Sequence, residues 1–248
     1  MSDFKLMEVQ EFKDWLSAQK ISRKIKLIQL HHTYSPSYRH FTGDNHKTLQ
    51  ENMRYFHMKS RGYADIAQQF TIFPDGKIMT GRSLGTAPAG IYGCNTQGIC
   101  IECLGNFDIG GDNMTEVQKK AIPAYVKILL DRFSLNARTD VTYHAWWTST
   151  GKPLGDYILV KSAKTCTGTA FFGGNSKAAY EKNLLPLIEN YGKEEKALEK
   201  ITSINDIVWE LSNAGIITDS VLWIKKCEAD KDVYWLCFKM ANKLRGTL

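Results

Sequence analysis

Two histidines and one cysteine, in three separate parts of the chain, are residue types that bind a metal ion. His31 and His32 close an apolar stretch, His144 ends a second one, and Cys166 lies in a polar segment further on. Two imidazoles and one thiolate can hold a catalytic zinc ion and leave a fourth position for water. The spacing is unlike that of a zinc finger, so this prediction requires the fold to bring the three side chains together.

The surroundings of the cysteines separate Cys166 from the others. Cys100 and Cys103 form a CxxC pair within a predicted strand, where they would point to opposite faces, which argues against a shared metal. Gly, Thr and Lys flank Cys166, which predicts an accessible loop in which a nearby cation lowers the pKa of the thiol. The CxxC pair is predicted to be buried, with the small side chains packed in the core. The same prediction holds for the remaining cysteines, Cys94, Cys227 and Cys237.

Composition describes an ordinary globular protein with a basic first part. The chain has 248 residues, of which 43% are hydrophobic and 23% charged, and a net charge of +6. The segment from Lys193 onward carries equal numbers of acidic and basic residues, so the excess belongs to residues 1–192. A basic domain suits a polyanion such as nucleic acid or an anionic cell wall, although scattered solvating lysines explain the charge equally well.

No apolar segment is long enough to predict a membrane span, and the N-terminus lacks the pattern of a signal peptide. We therefore expect synthesis in the cytoplasm, reduced thiols, and retention there unless another process releases the protein.

The order of predicted elements is that of an α/β protein. Apolar runs predict strands, and a period of 3.6 predicts helices. A Pro-Asp-Gly turn predicts a hairpin. Thr115 is the predicted N-cap of the longest helix. The predicted strands are 25–33, 69–73, 77–80, 99–104 and 141–147, and the predicted helices are 45–60, 115–133 and 178–190.

The C-terminal part is predicted to be a separate small unit. Residues 191–202 are charged and are interpreted as a linker after a catalytic domain over residues 1–190. Within residues 203–248, predicted caps at Ser203 or Asn205 and at Asp219 indicate three short amphipathic helices. Three tryptophans in this unit indicate either core packing or a surface that binds sugars or a partner.

Taken in order, these motifs resemble one enzyme family over roughly residues 20–190. They are similar to the zinc-dependent N-acetylmuramoyl-L-alanine amidases of the peptidoglycan-recognition and bacteriophage-lysozyme type. Residues 165–175 most resemble the version in endolysins and autolysins of spore-forming Gram-positive bacteria. The segments that carry the resemblance are Leu27-Ile-Gln-Leu-His-His-Thr33, His57, Gly62-Tyr-Ala-Asp-Ile66, Phe70, Asp75-Gly76, Asn95, Gly98, His144 and Lys164-Thr-Cys-Thr-Gly168.

The resemblance implies a central mixed β-sheet flanked by helices, and hydrolysis of the amide between N-acetylmuramic acid and L-alanine in peptidoglycan. It implies zinc ligands at His31, His144 and Cys166, with His32 structural on the opposite face of its strand. Lys164 matches a family lysine thought to stabilise the oxyanion. Glu102, an acidic residue in an apolar strand, is a candidate general base.

The sequence departs from the family pattern near the site. Gln68 stands where the family commonly has a catalytic tyrosine, so it can form hydrogen bonds but cannot act as a phenolic acid. Thr167 replaces the usual proline. Gln68 is a candidate substrate-binding residue, as are Trp146 and Trp147, of which one is expected to be a core residue.

Three functions follow from this reading. The first is a peptidoglycan hydrolase, an endolysin or autolysin that reaches the wall after release, with no nucleic-acid partner. Its C-terminal module would bind the wall or form a homo-oligomer. The second is a peptidoglycan receptor of the same fold without hydrolysis. The third is a zinc hydrolase of another amide.

Overall fold

The computed structural model describes residues 4–192 and 203–244. The chain divides into two compact units, Met1–Glu189 and Asn190–Leu248. Most of the predicted linker, residues 193–202, lies outside the described residues. None of the described helices has the length and apolar character needed to cross a membrane.

The first unit is built on a mixed six-stranded sheet with the order β1-β4-β3-β5-β2-β6. β4 runs antiparallel to β1 and β3, whereas β3, β5, β2 and β6 are parallel neighbours. This confirms the predicted central mixed sheet. The strands are β1 (Leu6–Met7), β2 (Leu27–His32), β3 (Phe70–Ile72), β4 (Ile78–Thr80), β5 (Gly98–Cys103) and β6 (Val141–Tyr143).

The first unit places its helices on both faces of the sheet. α1 (Val9–Ser17) and α3 (Glu116–Phe133) pack on one face and share its apolar core. α2 (His46–Lys59) covers part of the other face. Thr115 caps α3 as predicted, since its side chain accepts a hydrogen bond from the Gln118 amide. The last helix, predicted as 178–190, is in three parts: α4 (Lys177–Ala179), a π-helical turn (Tyr180–Leu184) and α5 (Leu185–Asn190).

The central strand β2 shows why the two faces of the sheet differ. Ile28 and Leu30 point into the core beneath α3, and both are fully buried. Because side chains alternate along a strand, Gln29 and His31 point to the opposite face. In the parallel register with β5, His31 lies opposite Glu102. The sheet therefore has an apolar face that stabilises the fold and a face with polar residues at its centre.

The second unit contains three helices, as predicted: α6 (Ile204–Asn213), α7 (Ser220–Ala229) and α8 (Lys231–Leu244). The side chains of Ser203 and Asp219 cap the first two. A small apolar core holds the helices together. Trp223 packs against this core, whereas Trp209 is 62% exposed and Trp235 is 47% exposed. Core packing therefore explains Trp223, and it explains Trp235 only in part, through an edge-to-face contact with Phe238.

Candidate metal centre

The three predicted ligands meet at one end of β2. One ligand atom from each of His31, His144 and Cys166 lies within 4.8 Å of the other two. The Cys166 Sγ is 3.5 Å from Nδ1 of His31. The rings of His31 and His144 approach edge to face, with their centroids 5.1 Å apart. Side chains as far as 135 residues apart in sequence thus converge on one point.

These distances fit a zinc ion. With Zn–S of about 2.3 Å, Zn–N of about 2.0 Å and tetrahedral angles, sulfur and nitrogen ligands should be about 3.5 Å apart. The Cys166 to His31 separation has this value. Two imidazoles and one thiol also form a donor set suited to zinc.

Backbone interactions fix where each ligand side chain points. His31 is the penultimate residue of β2, and its neighbour His32 points to the other face, where its Nδ1 accepts a hydrogen bond from the Phe107 amide. His144 begins a 3₁₀ turn that immediately follows β6. This turn is tied to the third ligand, because the Ala145 amide donates to the Cys166 carbonyl at 2.6 Å.

Asp108 holds the loop that carries Cys166, a role that the sequence did not indicate. Its carboxylate accepts hydrogen bonds from the Thr165 hydroxyl at 3.1 Å and from the Thr169 amide at 2.9 Å. The His32 amide donates to the Cys166 sulfur itself. The loop is thus fixed on both sides of the thiol, which suits a ligand that tolerates little displacement. An isolated aspartate in a loop gives no sequence signal of such a contact.

Burial sets the protonation of the ligands. It is the main cause that lowers the pKa of His31 well below 6.5 and that of His144 to about 4, with nearby positive groups adding to the effect. Both rings are therefore neutral at pH 7 and able to bind a metal.

Cys166 is not the accessible thiol that its flanking residues predicted. The side chain is buried, and burial together with Glu102 raises the pKa of the thiol well above 9. Lys164 acts in the predicted direction, but the loss of hydration outweighs it.

Glu102 and Lys164 complete the polar part of the site. Glu102 Oε1 is 4.0 Å from Nδ1 of His31, and among the described residues its buried Oε2 has no hydrogen-bond partner. Burial raises the pKa of Glu102 to about 8, which Lys164 partly opposes. Lys164 is exposed and lines the same cleft. Both candidate catalytic residues therefore lie beside the predicted ligands.

The metal-ligand group opens into a cleft of about 990 Å³. Loops after β2 and β5 and the last turns of α2 form its walls. The sequence did not single out most of these side chains, because exposed aromatic and basic residues in loops are common without a function. The unpredicted lining residues include Tyr34, Asn52, Phe56, Arg61, Tyr63 and Asp108.

Residues 21–169, which include every ligand and the cleft, match the profile of the N-acetylmuramoyl-L-alanine amidase family. The chain belongs to this family. A peptidoglycan recognition protein of Trichoplusia ni is 25% identical over 138 residues, which are 56% of this chain and 74% of the moth protein.

Solved structures of the amidase family's fold are similar to this chain. The Drosophila peptidoglycan recognition protein SA has a TM-score of 0.50 and 17% identity, covering 69% of this chain and 90% of that protein. The N-acetylmuramoyl-L-alanine amidase LysC from Clostridium intestinale has a TM-score of 0.45 and 22% identity, covering 62% of this chain and 85% of that protein.

The predicted aromatic wall is not part of the cleft in this amidase-family domain. Trp146 is buried in the core, stacks on Tyr143 and donates its indole N–H to the Asn175 carbonyl. Trp147 is half-buried and donates to the Thr142 hydroxyl. Neither lines the described cleft. The 3₁₀ turn after β6 directs these rings away from the face that carries His144, so the predicted wall is corrected for both residues. The expectation that one of them is a core residue is met by Trp146.

Gln68 borders the cleft but is fully buried. Its amide donates to the Thr71 hydroxyl at 3.0 Å, and Thr71 in turn donates to Gln50 of α2. In this conformation Gln68 ties β3 to α2 and offers substrate no exposed atom. The predicted contact with substrate would therefore require the side chain to move.

Proposed function

We propose that this protein is a zinc-dependent hydrolase that cleaves the amide between N-acetylmuramic acid and L-alanine of peptidoglycan. The convergence of His31, His144 and Cys166 beside a large cleft carries the proposal. Membership of the amidase family and the peptidoglycan recognition proteins among its relatives support the choice of substrate.

His31, His144 and Cys166 would hold the zinc ion. The chemistry that zinc supplies when bound is polarisation of the scissile carbonyl and activation of water at neutral pH. The two imidazoles bind in the neutral form that their burial already favours. The Cys166 thiol gives up its proton on binding, so metal uptake releases a proton to solvent.

Glu102 and Lys164 would carry out the remaining steps. In its ionised form, Glu102 takes a proton from the attacking water and delivers it to the departing amino group of L-alanine as the C–N bond breaks. Because burial raises the pKa of Glu102 to about 8, this form is the minor one at pH 7 and increases as the pH rises. Two observations support this assignment: Glu102 Oε1 lies 4.0 Å from Nδ1 of His31, and the buried Oε2 has no hydrogen-bond partner among the described residues. Lys164, at the rim of the cleft, provides a fixed positive charge for the developing oxyanion.

We further propose that the protein is an endolysin or autolysin that acts on the wall after release from the cytoplasm. The second unit would then bind the wall through its exposed Trp209 and Trp235 or form a homo-oligomer. The net charge of +6, which lies in residues 1–192, suits an anionic wall. Deletion of residues 200–248 tests the role of this unit, since unchanged wall binding and oligomeric state would contradict it.

A second candidate function is a peptidoglycan receptor without hydrolysis. The observation that favours it is Gln68, which replaces the family's usual tyrosine and is buried in a structural hydrogen-bond network. A receptor would use the same cleft and need neither Glu102 nor Lys164.

Digestion of purified Gram-positive walls separates the two functions. The hydrolase releases new L-alanine amino termini and no new reducing sugar ends, whereas the receptor binds walls and releases neither. Glu102→Gln and Lys164→Ala should reduce the release strongly. Lys161→Ala is the matched control, because Lys161 is an exposed lysine of the same loop outside the cleft lining. Wall binding with no new termini would refute the hydrolase and favour the receptor.

A further inference from the structure

The His31 ring is shared by a second group of metal-binding side chains. One donor atom from each of His31, Cys100 and Glu102 lies within 4.8 Å of the other two. Cys100 and Glu102 are two residues apart on β5, so they point to the same face of the sheet. The parallel register places Glu102 directly opposite His31. The group therefore stands on two paired central strands rather than on loops.

Buried polar atoms of this group lack partners. Among the described residues, Nε2 of His31 and Oε2 of Glu102 are buried without a hydrogen bond. Native proteins contain few such atoms, and each needs an explanation. A cation bound between them would give the carboxylate oxygen, the imidazole nitrogen and the neighbouring thiolate a common partner.

Gly90 shows that two of these donors face the same point. A side-chain carbon placed on Gly90 would lie 3.0 Å from the Cys100 sulfur, 3.2 Å from Nε2 of His31 and nearer still to Gln29 Oε1. Nδ1, on the other side of the ring, faces Cys166 at 3.5 Å. The His31 ring thus lies between Cys166 and the Cys100 thiol, and Glu102 Oε1 is 4.0 Å from Nδ1 of the same ring.

We propose that Cys100, Glu102 and the His31 ring form a second, weaker site for a thiophilic divalent cation such as zinc or cadmium. Nε2 is the ring nitrogen that stays free for this site when Nδ1 faces the first ion. Binding displaces to solvent the protons of the Cys100 thiol, of the His31 ring and of the Glu102 carboxyl, which is mostly protonated at pH 7. These losses make the site weaker than the first, which displaces one proton. Cation binding at this site does not depend on the proposed function. Inhibition of wall hydrolysis by the second cation does rest on it, because a cation bound to Glu102 would occupy the group proposed to transfer protons.

Cadmium titration of the metal-free protein tests this site, because each thiolate bound to Cd²⁺ adds a charge-transfer absorption in the near ultraviolet. The wild type should show two steps, and Cys166→Ala should lose the stronger one. Cys100→Ser should lose only the weaker step. Cys103→Ala is the control, since Cys103 lies on the same strand but packs into the core of the opposite face and should keep both steps.

A single cadmium step in the wild type, unchanged by Cys100→Ser, would overturn the proposal. Glu102→Gln provides an independent variant if Cys100→Ser does not fold, and it should weaken the second step alone. Excess zinc should inhibit wall hydrolysis by the wild type more than by Cys100→Ser, each measured relative to its own activity with one zinc. Failure of hydrolysis with both cadmium steps intact would reject the proposed function and leave the second site standing.

Discussion

Two neighbouring tyrosines beneath the metal centre differ in one respect that a single-atom change can test. Tyr143, the last residue of β6, is fully buried, and its hydroxyl has no hydrogen-bond partner within the described part of the chain. Tyr180 is equally buried, but its hydroxyl donates to the Ala137 carbonyl at 2.6 Å. Their rings contact each other edge to face.

The two Tyr→Phe substitutions should therefore change stability in opposite directions. A buried polar group without a partner costs about 1–3 kcal/mol, so Tyr143→Phe should raise the free energy of unfolding by up to about 1 kcal/mol after small packing losses. Tyr180→Phe removes a made hydrogen bond and leaves the Ala137 carbonyl without its donor. It should lower the free energy of unfolding by about 1–2 kcal/mol.

Urea denaturation of the two variants and the wild type measures this difference, with the transition midpoints compared at equal slopes. Both variants should bind zinc as the wild type does, because neither hydroxyl contacts His31, His144 or Cys166. A loss of 1 kcal/mol or more in Tyr143→Phe, matching Tyr180→Phe, would refute the reasoning, since it would mean that the Tyr143 hydroxyl has a partner.

Two further predictions concern the hydrogen bonds around the site. Gln118 is fully buried and donates to the carbonyls of Ile72 and Leu104. Gln118→Leu should therefore lower the free energy of unfolding of the first unit by about 2 kcal/mol in the same urea assay. No loss of stability would contradict the assigned contacts. Burial, with nearby guanidinium groups, lowers the pKa of His57 below 6.5, and its Nδ1 accepts a hydrogen bond from the Ala67 amide. Just below pH 6.5 the unfolded state therefore binds more protons than the folded state. The free energy of unfolding falls as the pH drops through that window. His57→Gln should make the fall between pH 7 and 5 shallower, and an equal or steeper fall would contradict the assignment.

The sequence predicted the sheet and one face of the site well because alternation along a strand is a local property. The apolar residues of β2 and β5 determine that Ile28 and Leu30 face the core, and His31 must then face the other side. The same argument placed His32 on the face opposite to His31, where its Nδ1 accepts a hydrogen bond from the Phe107 amide. The N-caps at Thr115, Ser203 and Asp219 were likewise readable from local chemistry.

The predictions were wrong where contacts between residues distant in sequence determine the local structure. Val141 to Trp147 was predicted as a strand or strand end, but the strand ends at Tyr143, and a 3₁₀ turn that begins at His144 sends Trp146 into the core. Cys166 was predicted to be accessible from its polar neighbours, but the fold buries it against β2 and raises the pKa of its thiol. Neither the turn nor the burial is visible in the residues flanking these positions.

Zinc content measured together with wall hydrolysis tests the central proposal most directly, for the wild type, Cys166→Ala and the control Cys94→Ala. Cys94 is a half-buried thiol outside the first ligand group. We expect one tightly bound zinc ion per chain in the wild type and the control, with release of L-alanine amino termini, and loss of both in Cys166→Ala. Hydrolysis that persists in Cys166→Ala after complete removal of metal would contradict the proposal.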